Sequence, residues 1–100
     1  MIDKSIKGIK YRLDEENLTA EVIQKKGYEG DFIIPEIVVF KKVAYRVTSI
    51  GLWAFDGCSS LTSITFNGTK AQWEKIQLGV GWNESLLTTV VRCTDGKVKI

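Results

Sequence analysis

Short runs of alternating apolar and polar residues recur along the chain and predict β-strands. Between Gly8 and Lys25, apolar residues fall at every second position on both sides of the polar run Asp14–Asn17. This spacing predicts a β-hairpin with the polar run at its tip. The tip is acidic, and we favour a solvated turn over a binding site for a cation or a basic partner.

Three further strands are predicted in the first half of the chain. β-Branched and aromatic residues concentrate in Asp31–Ile34, Ile37–Phe40 and Val43–Ile50. Pro35 ends the first of these segments, because proline cannot donate a hydrogen bond to a strand ladder. Lys41–Lys42 joins the other two without a glycine, which favours a connection looser than a tight two-residue turn.

A four-residue pattern then occurs twice. Val47–Ile50 reads VTSI, and Leu61–Ile64 reads LTSI fourteen positions later. Each copy resembles the strand of a leucine-rich repeat, in which apolar residues point inward before the chain turns back. The repetition predicts successive strands stacked on each other, since neither buries its apolar edge alone. Ala54, Phe55 and Cys58 lie between the copies and predict a bend that faces the same core.

The last third of the chain predicts one helix and one hairpin. Thr69 and Gln72 have the spacing of a capping box at a helix start. We predict an amphipathic helix from Lys70 to Gln77, ended by two nearby glycines. Its predicted apolar face comprises Trp73, Ile76 and Val80. Trp73 and Trp82 are both assigned to the core.

An Asp-Gly pair marks the final hairpin. Thr88–Cys93 and Lys97–Ile100 are strand-like and flank Thr94–Gly96, which carries that turn signal. Together these elements predict a mainly β fold with one short helix (α+β). At 100 residues with 44% hydrophobic content, the chain is expected to form one compact domain, 1–100.

Charge and hydropathy exclude two classes of partner. Fourteen Lys and Arg residues are interspersed with twelve Asp and Glu residues, for a net charge of +2. This pattern lacks the basic footprint of a nucleic-acid-binding protein. No segment approaches the roughly 18 apolar residues of a membrane helix, and the first residues do not form a signal peptide. We therefore expect no nucleic-acid partner and no membrane insertion.

The residue types argue against catalysis and against a bound cofactor. The chain contains no histidine, which removes imidazole bases, Ser/His and Cys/His pairs and the commonest zinc ligand. We expect no catalytic residue, no metal site and no cofactor. Cys58 and Cys93 allow either one disulfide or two buried free thiols, and free thiols are favoured.

The run from Ile50 to Ile64 resembles the BspA-type (Treponema pallidum-type) leucine-rich repeat family, whose repeat follows the outline I-G-x-x-A-F-x-x-C-x-x-L-x-x-I. The residues in register are Ile50, Gly51, Ala54, Phe55, Cys58, Leu61 and Ile64. The resemblance implies a single leucine-rich-repeat unit flanked by β-hairpin caps. Its parts are an N-terminal β-rich cap at 1–46, the repeat at 47–68, and a C-terminal helix and hairpin cap at 69–100.

The same resemblance implies a non-enzymatic protein-interaction module. Its implied role is adhesion or recognition at a bacterial surface, and its implied location is secreted or cell-surface. The implied partners are proteins or glycoproteins, including those of a host extracellular matrix. The alternative is a structural or self-associating unit with no foreign ligand.

Two adjacent apolar residues are the first candidates for contact with a partner. Leu52 and Trp53 occupy variable positions of the repeat outline, where relatives often carry polar side chains, so an exposed patch is predicted. The alternative is that one of them folds under the N-terminal hairpin or the closing segment. Tyr45, Arg46 and Tyr28 are the next candidates for exposed contact residues.

Overall fold

A computed structural model describes all residues from 1 to 100. The structure contains ten strands and one short helix. The strands are β1 (Ile2–Ile6), β2 (Ile9–Asp14), β3 (Thr19–Val22), β4 (Gly30–Ile34), β5 (Ile37–Phe40), β6 (Val43–Ile50), β7 (Leu61–Phe66), β8 (Gln77–Leu78), β9 (Val90–Cys93) and β10 (Gly96–Lys99), and the helix is α1 (Lys70–Glu74). The mainly β fold with one short helix is therefore confirmed.

The strands form two sheets joined by a coiling chain. The first sheet has the order β1-β2-β3-β6-β5, and β8 also pairs with β6. The second sheet has the order β10-β9-β7-β4. The pairs β3/β6, β6/β8, β4/β7 and β7/β9 are all parallel. The chain thus passes from the first sheet to the second in three coils. The first coil runs from β3 to β4, the second from β6 to β7 and the third from β8 to β9, and each stacks on the one before it.

Apolar residues from both sheets meet in one core of 20 buried residues. Register partners in successive coils keep the same inward position: Phe32 pairs with Ile64, and Ile64 pairs with Val91. A chain of aromatic contacts fills the core where the two sheets are joined. Its members are Tyr28, Phe32, Phe55, Trp82, Trp73 and Phe66. The assignment of Trp73 and Trp82 to the core is confirmed.

The two copies of the repeated pattern lie in different sheets, so the prediction that they stack on each other is wrong. Val47–Ile50 belongs to β6 of the first sheet, and Leu61–Ile64 belongs to β7 of the second. Each stacks instead on a strand of the preceding coil, β3 or β4. The two copies therefore occupy corresponding positions in the two strands, β6 and β7, of one coil.

Each copy carries a β-bulge at its threonine. In the first sheet Ala20 pairs with Val47 while Glu21 pairs with Ser49, which leaves Thr48 as an extra residue. In the second sheet Thr62 is extra in the same way, because the register jumps from Leu61 to Ser63. A bulge shifts the inward and outward alternation by one residue. That shift explains how apolar residues three positions apart in the pattern all face the core.

The turn between β5 and β6 is tighter than predicted. Phe40 pairs directly with Val43, so only Lys41 and Lys42 form the turn. Their φ angles are 51° and 66°, as a type I′ turn requires. Non-glycine residues adopt this region at a cost of roughly 1–2 kcal/mol each. The Lys41 ammonium lies 5.4 Å from the Phe40 ring centroid, a cation–π contact that offsets part of this cost.

The helix is shorter than predicted. Its capping box is confirmed, since Thr69 Oγ1 accepts the Gln72 N–H and the Gln72 side chain accepts the Thr69 N–H. The helix ends at Glu74 rather than Gln77, because Gln77–Leu78 forms β8 and pairs with β6. Backbone pairing with β6 outweighs the continued helical pattern, since both residues of β8 stay exposed.

The two terminal hairpins extend opposite ends of the stack. The predicted β2–β3 and β9–β10 hairpins are both present. An additional strand, β1, pairs with β2 and was not predicted, because only Ile2 and Ile6 mark its apolar side. Tyr28 ties the N-terminal hairpin to the core, since its hydroxyl accepts the Lys10 N–H at 3.0 Å and donates to the Ile23 carbonyl at 3.0 Å.

Candidate functional site

Three apolar side chains form an exposed corner patch where the second and third coils meet. The corner patch consists of Leu52, Trp53 and Val80, which are 60%, 39% and 74% exposed. The Trp53 N–H donates to the Val80 carbonyl at 3.0 Å and joins the two coils. The predicted exposure of Leu52 and Trp53 therefore agrees with the structure. Val80 is the third member, since it follows β8 and is exposed rather than packed on an apolar helix face.

Two glycines allow the third coil to approach this corner closely. A Cβ atom at Gly79 would lie 2.5 Å from the backbone nitrogen of Leu52. A Cβ atom at Gly81 would overlap the indole ring of Trp53. The ring of Trp53 thus lies against the closing segment and still exposes one part to solvent. Trp53 is therefore partly exposed, as a contact patch requires, and partly covered by the segment around Gly81.

Trp53 has an unusual backbone conformation. Its φ angle is 53°, in the left-handed region that bulky residues rarely adopt. The Trp53 carbonyl accepts the Asp56 N–H at 3.0 Å, which closes the bend between the two sheets. Local strain of this kind persists where the surrounding contacts hold it, and it concentrates at functional sites.

A charged groove borders the corner patch. It has a volume of about 420 Å³, and its lining includes Asp3, Arg12, Glu21 and Leu52. Arg12 Nε donates to Asp3 Oδ1 at 3.0 Å. This hydrogen bond, with the charge of the guanidinium, lowers the pKa of Asp3 and raises the pKa of Arg12. An apolar centre beside a polar rim is the arrangement found in protein–protein interfaces.

The structure corrects the expected exposure of two tyrosines. Tyr28 and Tyr45 are each only 5% exposed. Alternation along β6 points Tyr45 into the core, and Tyr28 packs edge-on against Phe32. Arg46 is exposed, but it lies on the outer face of β6 beside a groove shared with Leu18 and Ile37. Of the predicted contact residues, the structure joins only Leu52 and Trp53.

Sequence reasoning missed Val80 because it assigned this residue to the apolar face of the helical pattern, three residues beyond the predicted helix end at Gln77. The available signal was its position between Gly79 and Gly81, the same two glycines that end the predicted helix. A valine between two glycines has no side chain on either neighbouring residue to cover it. Exposure of the side chain follows.

The cysteines are both free thiols. Cys58 is buried, as the repeat pattern predicts, and its thiol lies 3.4 Å from the Lys25 carbonyl oxygen. Cys93 is half-buried, and burial raises the pKa of its thiol. The structure contains no group of three or more Cys, Asp or Glu side chains placed to hold a metal ion. Helix α1, with five residues, is too short to span a bilayer.

Comparison with solved structures identifies a protein of similar architecture. A leucine-rich cell surface protein from Faecalibacterium prausnitzii A2-165 superposes with a TM-score of 0.68 at 20% sequence identity. The chain shares the fold of part of that protein. The match covers 95% of this chain and spans 24% of the length of the other. No protein-family model matches the sequence, and no curated protein matches it.

Proposed function

We propose that the chain is a non-enzymatic protein-interaction module of the BspA-type leucine-rich-repeat class, acting in adhesion or recognition at a bacterial surface. The sequence resemblance at Ile50–Ile64 supports the class, and the similar fold of a leucine-rich cell surface protein is consistent with it. The absence of histidine from the chain and the burial of Cys58 support a role without catalysis.

The corner patch is the observation that carries this proposal. Leu52 and Val80 leave most of their surface in water, and Trp53 adds an aromatic ring on a backbone with a positive φ angle. Tryptophan is enriched among the residues that contribute most to binding at protein interfaces. The charged groove beside the patch supplies a polar rim. These features favour Leu52 and Trp53 as the contact residues.

The partner that fits this surface is a protein or a glycoprotein, including one of a host extracellular matrix. An exposed indole can pack on an apolar side chain or on the face of a sugar ring, and its N–H remains free to donate. The proposed location is the cell surface or the extracellular medium. Neither a nucleic acid nor a membrane is part of this proposal.

Self-association is the second candidate function, and the open strand edges favour it. β4 and β10 are the outermost strands of the second sheet, and β4 has an open edge of five residues. Exposed edges of this length pair readily with strands of another molecule. In this case the module would join copies of itself and recognise no foreign ligand.

A binding screen distinguishes the two candidates. The purified protein is passed over immobilised host matrix glycoproteins and over the immobilised protein itself. Saturable binding to a foreign glycoprotein supports the interaction module. Binding to the protein itself alone, with a sedimentation coefficient that rises with concentration, supports self-association. An absence of binding to every surface contradicts both.

A further inference from the structure

The outer edge of β10 has free backbone groups. β10 ends the second sheet and pairs only with β9. The Ile100 N–H donates to the Thr89 carbonyl at 2.9 Å, so the backbone groups of alternate residues from Gly96 to Ile100 face β9. By the same alternation, the N–H and C=O groups of Lys97 and Lys99 face away from β9. These groups can pair with an added strand.

The side chains along this edge are cationic and unpaired. Arg92 and Lys97 are direct register partners on the outer face of the hairpin, and Lys99 lies on the same face. None of the three forms an ion pair, because the ion pairs of the structure are Met1–Glu15 and Arg12–Asp3. Like charges directly opposite each other destabilise a strand pair. An anionic partner would relieve this repulsion.

The inward side of the same edge borders an apolar groove. This end groove has a volume of about 320 Å³ and lies between α1 and β10. Its lining includes Trp73, Ile76, Trp82, Val98 and Ile100. Glu74 is the one acidic side chain in its lining and forms no ion pair, and Lys99 also borders the groove. Lys70, at the start of α1, lies beside Gly96, so the open part of the edge begins at Lys97.

From these three features we infer that the edge of β10 binds an extended polypeptide segment in which acidic and apolar residues alternate. The segment adds as a strand beside β10. Its acidic side chains face Lys97, Lys99 and Arg92, and its apolar side chains enter the end groove. Alternate side chains of a strand point to opposite faces of a sheet, so one segment satisfies both requirements.

Charge complementarity identifies the segment as foreign to this chain. None of its ten strands has two acidic residues at alternate positions, so no strand of a second copy places carboxylates opposite both Lys97 and Lys99. The edge also differs from the corner patch in its residues and its chemistry. The inference therefore stands independently of the proposed function.

The test uses two labelled octapeptide probes and the intact protein. One probe alternates valine with glutamate and the other alternates valine with lysine, and fluorescence anisotropy measures the binding of each. Lys97→Pro removes the outward N–H and adds bulk to the edge while sparing the bonds to β9. Lys97→Gln removes one charge and keeps the edge. Lys42→Glu, in the exposed turn after β5, is the control for net charge.

The inference predicts saturable binding of the valine–glutamate probe and binding of the valine–lysine probe that is weaker by about tenfold or more. Lys97→Pro should abolish binding, and Lys97→Gln should weaken it severalfold. Lys42→Glu should have little effect. Far-UV circular dichroism and melting temperatures verify that each variant is folded.

Several outcomes would overturn the inference. These are equal binding of both probes, unchanged binding by folded Lys97→Pro, no binding of either probe, or a concentration-dependent dimer that occupies the edge in place of the probe. Loss of glycoprotein binding in the screen above would leave the peptide result unchanged, so the two proposals fail separately.

Discussion

The Ser63 hydroxyl donates a hydrogen bond of 2.7 Å to Asp31 Oδ1, its register partner in the preceding coil. The Thr65 hydroxyl donates to the same oxygen at 3.1 Å. In the first sheet Ser49 lies opposite Glu21, also directly after a bulged threonine. Each copy of the repeated pattern thus places a serine opposite an acidic residue of the coil below.

The first prediction concerns this polar contact. Asp31→Ala should lower the free energy of unfolding by about 1 kcal/mol, because two hydroxyl donors lose an exposed acceptor. Ser63→Ala should have a smaller effect, since the bond from Thr65 remains. Urea unfolding of the two single variants and the double variant gives their coupling energy. Glu29→Ala, an exposed carboxylate without a hydrogen bond, is the control, and strictly additive effects would contradict the account.

The second prediction compares two single-residue deletions in β7. Deleting Thr62 removes the bulged residue and leaves Leu61 and Ile64 facing inward, so the protein should fold with a modest loss of stability. Deleting Thr65 moves Phe66 to an outward position and should prevent cooperative folding, because one position of slip reverses every later side chain. Thermal melts and near-UV circular dichroism of both variants provide the measurement. Similar behaviour of the two would show that the bulge has been misplaced.

The third prediction concerns the approach of the third coil to the corner patch. Gly79→Ala should destabilise the protein by about 3 kcal/mol, because the added Cβ would meet the backbone of Leu52. Gly57→Ala is the matched control, since Gly57 has a positive φ and open space around it. Its expected loss is about 1 kcal/mol, from backbone strain alone. Equal losses in chemical denaturation would indicate that the close contact is absent.

The fourth prediction is a loss of stability in alkali. Burial raises the pKa of Tyr11 above its ordinary value of 10.0, and burial also raises the pKa of Tyr28. Above about pH 10 the unfolded chain ionises its tyrosines while the folded core holds these two neutral, so the unfolded state becomes favoured. Their contribution to stability is thus fully present below pH 10 and declines as the pH rises. Urea unfolding at pH 8 and pH 11 measures the decline, and Tyr11→Phe should reduce it.

Alternation and turn signals were sufficient to predict most of the individual strands. The segment around Tyr11 has apolar residues at every second position, and those around Phe32, Val38 and Val91 are rich in β-branched or aromatic residues. All four lie in strands as expected. The helix end and β1 were not predictable in this way. The helix ends early because Gln77–Leu78 pairs with β6, and β1 forms because it pairs with β2. Both depend on contacts between residues that are distant in the sequence.

The arrangement of the sheets was also beyond local reasoning. The two copies of the repeated pattern differ only in Val47 and Leu61, both apolar, so the sequence of each copy does not indicate its partner strand. Only part of the candidate site was predictable, because one of its three residues is brought to the site by the fold. Leu52 and Trp53 are apolar at two repeat positions that are often polar in relatives, so the sequence indicates them. Val80 is distant in the sequence and joins them only through the hydrogen bond to Trp53. Tyr45, a candidate for an exposed contact residue, is buried because alternation along β6 points it inward.

The central claim is that Trp53 contacts the partner, and an affinity ratio tests it most directly. Using the glycoprotein that binds best in the screen, the dissociation constants of the wild type and of Trp53→Ser are measured beside that of Val39→Ser. Val39 is 60% exposed and lies far along the first sheet, opposite Ala44. The account predicts a loss of about tenfold or more for folded Trp53→Ser and little change for Val39→Ser. Equal affinities of the wild type and folded Trp53→Ser would contradict it.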